Sequence, residues 1–151
     1  MKKAVVWVLG ALLSITVTTN DVQAQIRKVP AAVTDAFKAK YPSADEVEYK
    51  DRLSFFLIDF EMDDVSYQAR FSSKGEWMQT EKAIDEEDLP AAVQDGFEKS
   101  KYSDWEITET AEVEYSDEHI EYKISIKRSS IEKKYLFFNE KGKLLRDLIT
   151  L

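Results

Sequence analysis

The chain has 151 residues, is 44% hydrophobic and 33% charged, and carries a formal net charge of −8 at pH 7. That balance is too apolar for a disordered chain and too acidic to favour the phosphates of a nucleic acid. It contains no cysteine, so disulfides are excluded and stability has to come from core packing.

The N-terminus begins with the basic Lys2 and Lys3, followed by an apolar run over residues 4–17 broken only by Gly10, Ser14 and Thr16. A polar stretch then leads to Val22-Gln23-Ala24, with small or aliphatic side chains where a signal peptidase needs them. Residues 1–24 therefore read as a secretory signal peptide, with the mature protein starting at Gln25 in the periplasm or outside the cell. The run is shorter than the roughly 20 residues a spanning helix requires, so no stable membrane insertion is expected after cleavage.

The first mature element is a helix. Val29, Val33, Ala36, Phe37 and Tyr41 recur at helical spacing, with Pro30 placed at the first helical position and Tyr41-Pro42 stopping the run. Strand-like stretches follow over residues 46–50, 53–62, 65–71 and 76–84. Asp63-Asp64 reads as a tight hairpin turn, and residues 72–75 as a second turn in which Gly75 supplies a positive φ. In the stretch 53–62, Phe56, Ile58, Phe60 and Met62 occupy one face, while Leu53, Phe55 and Leu57 occupy the other.

The acidic stretch 85–88 leads into a second helix whose start restates the first. Val29-Pro30-Ala31-Ala32-Val33 returns as Leu89-Pro90-Ala91-Ala92-Val93, and Asp35 and Phe37 return as Asp95 and Phe97, at a constant offset of 60 residues. Negative charge ahead of a helix N-terminus is favourable, which accounts for the acids without calcium; the spacing is not that of an EF-hand loop. Strands are expected over 107–115, 120–126, 131–138 and 144–151, with a Gly142 turn answering that of Gly75. The order is α-β-β-β-β made twice, over residues 25–85 and 86–151. It predicts an α+β protein whose two tandem repeats form antiparallel sheet with the helices on one face.

A hydrophobic-Pro-Ala-Ala-Val helix, a meander and a Lys-Gly turn before the last strand, doubled behind a signal peptide, resemble the PepSY-like family. Its members are small exported bacterial proteins related in fold to the tandem-repeat β-lactamase inhibitor proteins. The resemblance spans residues 25–151 and implies one antiparallel sheet with a helix-covered face and a free one. In the inhibitor relatives the free concave face grips a partner protein. The disulfides typical of those inhibitors have no counterpart here, so inhibition of β-lactamase is not itself implied.

The residues offer little for catalysis. His119 sits in the turn-like Ser116-Asp117-Glu118-His119, no nucleophile elbow or glycine-rich phosphate loop is present, and one histidine without cysteine makes a poor zinc site. No cofactor, no metal and no catalytic residue is expected, and a hydrolase ranks last. Recognition has more behind it. A sheet covered on one face needs one apolar side per strand. Leu53, Phe55 and Leu57 exceed that need, as does one of the pairs Tyr135/Phe137 or Leu136/Phe138, and Trp77 adds a large ring opposite Met78. Phe55, Leu57, Trp77, Tyr135 and Phe137 are the expected contacts for an unknown protein or peptide of the cell envelope. The alternative is a structural or chaperone-like protein that recruits a strand along residues 144–151.

Overall fold

The computed structural model describes residues 28–150. The signal-peptide reading, the mature start at Gln25 and the last residue, Leu151, lie outside the described residues. Helix α1 (Ala31–Lys40) precedes β1 (Asp45–Asp51), β2 (Phe55–Met62), β3 (Val65–Ser72) and β4 (Trp77–Ile84). A 3-10 turn (Glu86–Asp88) leads to α2 (Ala91–Glu98), then β5 (Glu106–Tyr115), β6 (Ile120–Lys127), β7 (Lys133–Asn139) and β8 (Leu144–Ile149). All eight strands form one open antiparallel sheet in sequential order. The two α-β-β-β-β units thus meet by pairing β4 directly with β5, while α2, which follows β4 in the chain, packs on β6 and β7.

Several boundaries differ from the sequence expectation for local reasons. Pro30 and Pro90 stand one residue before their helices, in extended conformation, and cap them through the backbone. The Pro30 carbonyl accepts from the N–H of Val33 (3.0 Å) and Thr34 (3.2 Å), and that of Pro90 from Val93 (2.8 Å) and Gln94 (3.1 Å). Leu53 is not in a strand: it occupies the β1–β2 turn at φ 64° and is 88% exposed. Ile131, expected to open a strand, is likewise exposed in the loop before β7. Asp63 (φ 52°) and Asp64 (φ 60°) form a two-residue turn of the kind that matches strand twist.

The register shows which side chains share a face. Phe56, Ile58 and Phe60 pair with Phe71, Ala69 and Tyr67, and this side carries α1 through Val33 and Phe37. Tyr122, Ile124, Leu136 and Phe138 lie on the same side and carry α2 through Val93 and Phe97. The two clusters are separated by a polar seam where Thr80 and Lys82 meet Glu114 and Glu112, while Ile84, opposite Thr110, packs against the α2 cluster. The alternation of β5 therefore runs opposite to that of its neighbours. Its apolar set, Ala111, Val113 and Tyr115, faces the side without helices, with Val113 fully buried there.

Each helix is keyed to its unit by a glycine turn. Gly75 (φ 84°) and Gly142 (φ 75°) each close a turn with the same pair of hydrogen bonds, Ser72 N–H to Glu76 O and Gly75 N–H to Ser72 O, and Asn139 N–H to Lys143 O and Gly142 N–H to Asn139 O. A Cβ at Gly75 would lie 2.3 Å from the Ala32 carbonyl oxygen, and one at Gly142 would lie 1.8 Å from that of Ala92. In the second unit the approach is so close that a Cβ at Gly96 would also meet the Gly142 carbonyl, at 2.0 Å.

Gly142→Ala combines that overlap with a left-handed φ, and is expected to lower unfolding stability in urea by about 3 kcal/mol or more. Leu53→Asn relieves a left-handed φ at a side chain with no burial to lose, and should raise stability by about 0.5–1 kcal/mol in the same assay.

Candidate functional site

The face without helices is organised in rows that cross the strands. Lys50, Leu57, Arg70, Gln79 and Tyr115 lie in one row, and Glu48, Asp59, Gln68, Glu81, Val113 and Glu121 in the next. Ala83, Ala111, Lys123, Phe137 and Arg146 form a third, and Glu109, Ser125, Tyr135 and Leu148 a fourth. Because opposite residues in antiparallel strands stand about 5 Å apart, each row is a continuous line of interacting side chains.

Three polar groups tie these rows together. Asp59 accepts from Lys50 Nζ (2.5 Å) and from Gln68 Nε2 (2.6 Å). Lys123 pairs with Glu81 across two strands, both largely buried, and its ammonium lies 4.8 Å from the centre of the Tyr135 ring. Glu121, only 4% exposed, accepts from Arg146 through both Nη1 (2.8 Å) and Nη2 (2.6 Å), and from the Tyr115 hydroxyl (2.7 Å). This last cluster straps β8 to β6 over the top of β7. Burial would raise the Glu121 carboxyl, but the Arg146 fork and the Tyr115 hydroxyl outweigh it and hold the group below its ordinary value of 4.5. Burial first, and then donation to Glu121, pushes the Tyr115 phenol up to about 12. His119 stacks on Tyr115 with ring centres 4.2 Å apart and bonds to Asp117, at one end of the sheet.

Between these groups the face opens into a cleft of about 570 Å³ that draws on β1 through β7. Glu46, Asp59, Glu61, Glu81 and Glu109 line it with Lys123, Ser125, Tyr135, Ala83 and Ala111. Among the described residues, no cluster of three or more His, Cys, Asp or Glu could hold a metal ion.

Four of the five residues expected to contact a partner lie on this face, but not as an open apolar patch. Phe137 is 7% exposed, because the Arg146 guanidinium covers its ring at 4.0 Å. Phe55 is covered in the same way by Arg70 at 4.3 Å, and Leu57 is half-buried between Lys50 and Arg70. Tyr135 alone of the four lines the cleft. Trp77 stands on the other side: it packs against the α1 cluster, donates from Nε1 to Thr80 Oγ1 (2.8 Å), and lies under Lys40 at 3.7 Å. A bulge between Arg70 and Phe71 puts Trp77 opposite Phe71 and so turns it inward. Of the alternative pairs in β7, Leu136/Phe138 fill the core and Tyr135/Phe137 face the cleft side.

Comparison with known proteins places this geometry. A family model described as "Putative beta-lactamase-inhibitor-like, PepSY-like" matches residues 15–68 and again residues 58–146. The chain belongs to the PepSY-like family. Among solved structures it is similar to a BLIP-like protein from Bacteroides fragilis, at 25% identity and TM-score 0.66, covering 80% of this chain and 86% of that one. It is also similar in fold to a DUF2874 family protein from Bacteroides uniformis, at 23% identity and TM-score 0.72, covering 80% of this chain and 88% of that one. A protein from Bacteroides eggerthii described as "putative periplasmic" shares the fold at 24% identity and TM-score 0.72, again with 80% and 88% coverage. No curated protein matches the chain by sequence.

What the PepSY-like pattern concealed is the polar half of the site. Glu121, Lys123 and Ser125 read in the sequence as the polar side of an alternating half-buried strand. A further signal lay in β5, whose apolar side faces the uncovered face and buries Val113 there. Glu121 is stabilising as a carboxylate, so its contribution is complete above about pH 4.5, its ordinary value, and is lost as the pH falls through its lowered folded value. Glu121→Gln should therefore cost about 1–2 kcal/mol at pH 7, moderated by the partial solvation of Arg146, and progressively less in urea unfolding below pH 4.5.

Proposed function

We propose that this protein is an exported, non-enzymatic binding module whose partner, a protein or peptide of the cell envelope, seats on the uncovered sheet face. The observation that carries this reading is the cleft: a recess of about 570 Å³ on a sheet face left bare by both helices, floored by side chains already held in place by ion pairs. Preorganisation of that kind lowers the entropic cost of association. The inhibitor-like description of the family and the BLIP-like name of the Bacteroides fragilis relative support a recognition role. The name of the Bacteroides eggerthii relative supports a periplasmic location, as does the signal-like N-terminus. Among the described residues no helix is long and apolar enough to cross a membrane. The side chains gathered on this face are chiefly rings, paired ions and carboxylates. His119 bonds to Asp117 and stacks on Tyr115, and Ser125 faces Glu109 and Tyr135.

One observation favours strand addition as the second reading: β8 is an edge strand, and Leu145, Leu148 and Ile149 on it are exposed. A photo-crosslinking amino acid placed in turn at Leu57, Gln79, Asp95 and Ile149, the last exposed on β8 on the side away from the cleft, separates the two in living cells. Products expected at 57 and 79, identified by mass spectrometry, with none at 95 on α2, support the face. Products at 149 alone would transfer the role to the edge.

A further inference from the structure

The cleft has a charge that its own ion pairs leave unbalanced. Asp59 is satisfied by Lys50 and Gln68, and Glu81 by Lys123. Glu46, Glu61 and Glu109 line the same cleft, and none of them has an ion pair or hydrogen bond among the described residues. Three uncompensated carboxylates around one recess give it a negative potential.

A second feature of the recess is independent of those acids. Ser125 is only 5% exposed, and its hydroxyl has no hydrogen-bond partner. It stands on the cleft side of β6, between Glu109 of β5 and Tyr135 of β7. A buried hydroxyl without a partner is unfavourable, a cost removed when an incoming group hydrogen-bonds to it. The neighbouring Tyr135 ring already has an ammonium over it, that of Lys123. That ring is therefore taken, and what the recess offers an incoming cation is carboxylates and a hydroxyl acceptor.

Resting on the reading of this face as a docking surface, we infer that the cleft receives a basic side chain, a lysine ammonium or an arginine guanidinium, from the partner protein. Glu61 and Glu109 contact the charge, and Ser125 accepts a hydrogen bond from it. The partner surface is accordingly basic, complementary to a chain whose net charge is −8.

The test titrates the ¹⁵N-labelled protein with acetyl-Ala-Arg-Ala-amide and, separately, with acetyl-Ala-norleucine-Ala-amide, following amide shifts by NMR. The arginine peptide should give saturable shifts centred on Glu61, Glu109, Ser125 and Tyr135, and bind at least about tenfold more tightly than the norleucine peptide. Glu61→Gln/Glu109→Gln should weaken the arginine peptide about tenfold, and Ser125→Ala about threefold, with melting temperature little changed because neither carboxylate has a partner to lose. Glu86→Gln/Glu87→Gln, which removes the same charge from the 3-10 turn outside the cleft, should leave binding unchanged. Equal binding of the two peptides, absence of saturation, or equal weakening by both double variants would overturn the inference. Crosslinks at 57 and 79 that persist unchanged in Glu61→Gln/Glu109→Gln would overturn it while leaving the face itself as the docking surface.

Discussion

The contact on which the architecture depends is the seating of a glycine turn against the backbone of a short helix. An eight- or ten-residue helix is too short to be stable alone, so its position has to be fixed by what it packs on. Here the Gly75 turn meets Ala32 of α1, and the Gly142 turn meets Ala92 of α2, at distances that leave no space for a Cβ. Ala at the second helical position and Gly in the turn are both consequences of that one approach. Once it is made, Val33 and Phe37, or Val93 and Phe97, are delivered to the sheet in a single orientation. The Pro-Ala-Ala-Val repeat is therefore the scaffold's docking key, and it lies on the side of the sheet away from the cleft.

Committing both helices to one face has a chemical consequence on the other. Eight strands in sequence make a sheet too wide for two short helices to balance, so the uncovered face has to be made compatible with water by its own side chains. It does so with charges laid over rings: Arg70 over Phe55, Arg146 over Phe137, Lys123 over Tyr135. The guanidinium of Arg146 also reaches Glu121 and Tyr115, so the side chain that shields an aromatic ring also joins β8 to the centre of the sheet. Between β1 and β7 the face is not filled by these pairs, and there the cleft remains, lined by carboxylates.

The seam between the units follows from the same geometry. Strands β4 and β5 lie between the two helices, so their helix-side positions, Thr80, Lys82, Glu112 and Glu114, are polar, and the apolar positions of β5 turn to the uncovered face. In a lone strand this alternation looks like any other amphipathic one, because a period of two says which residues share a side and nothing about which side is covered. That is why the alternation of β5 did not say which of its sides meets the helices, and why Trp77, displaced by a bulge, read as a partner contact. The excess of apolar residues in β2 and β7 was legible; its disposition under basic side chains was not, since those residues come from β3 and β8.

By itself the sequence determined the element order, the doubling of the helix-plus-meander unit, and the antiparallel α+β class, because helical and strand periodicity, turn residues and a repeat at constant offset are local properties of the chain. It also determined that Leu57 and one of the pairs Tyr135/Phe137 or Leu136/Phe138 lay outside the minimum needed for one core; the register chose between the pairs. Only the tertiary structure decided that the two units join by pairing β4 with β5, that Trp77 belongs to the α1 side, and that Glu61, Glu109, Ser125 and Tyr135 converge on one recess. Those residues are separated by up to 74 positions in the chain. They become neighbours through strand register, a relation between segments that no single segment's pattern contains.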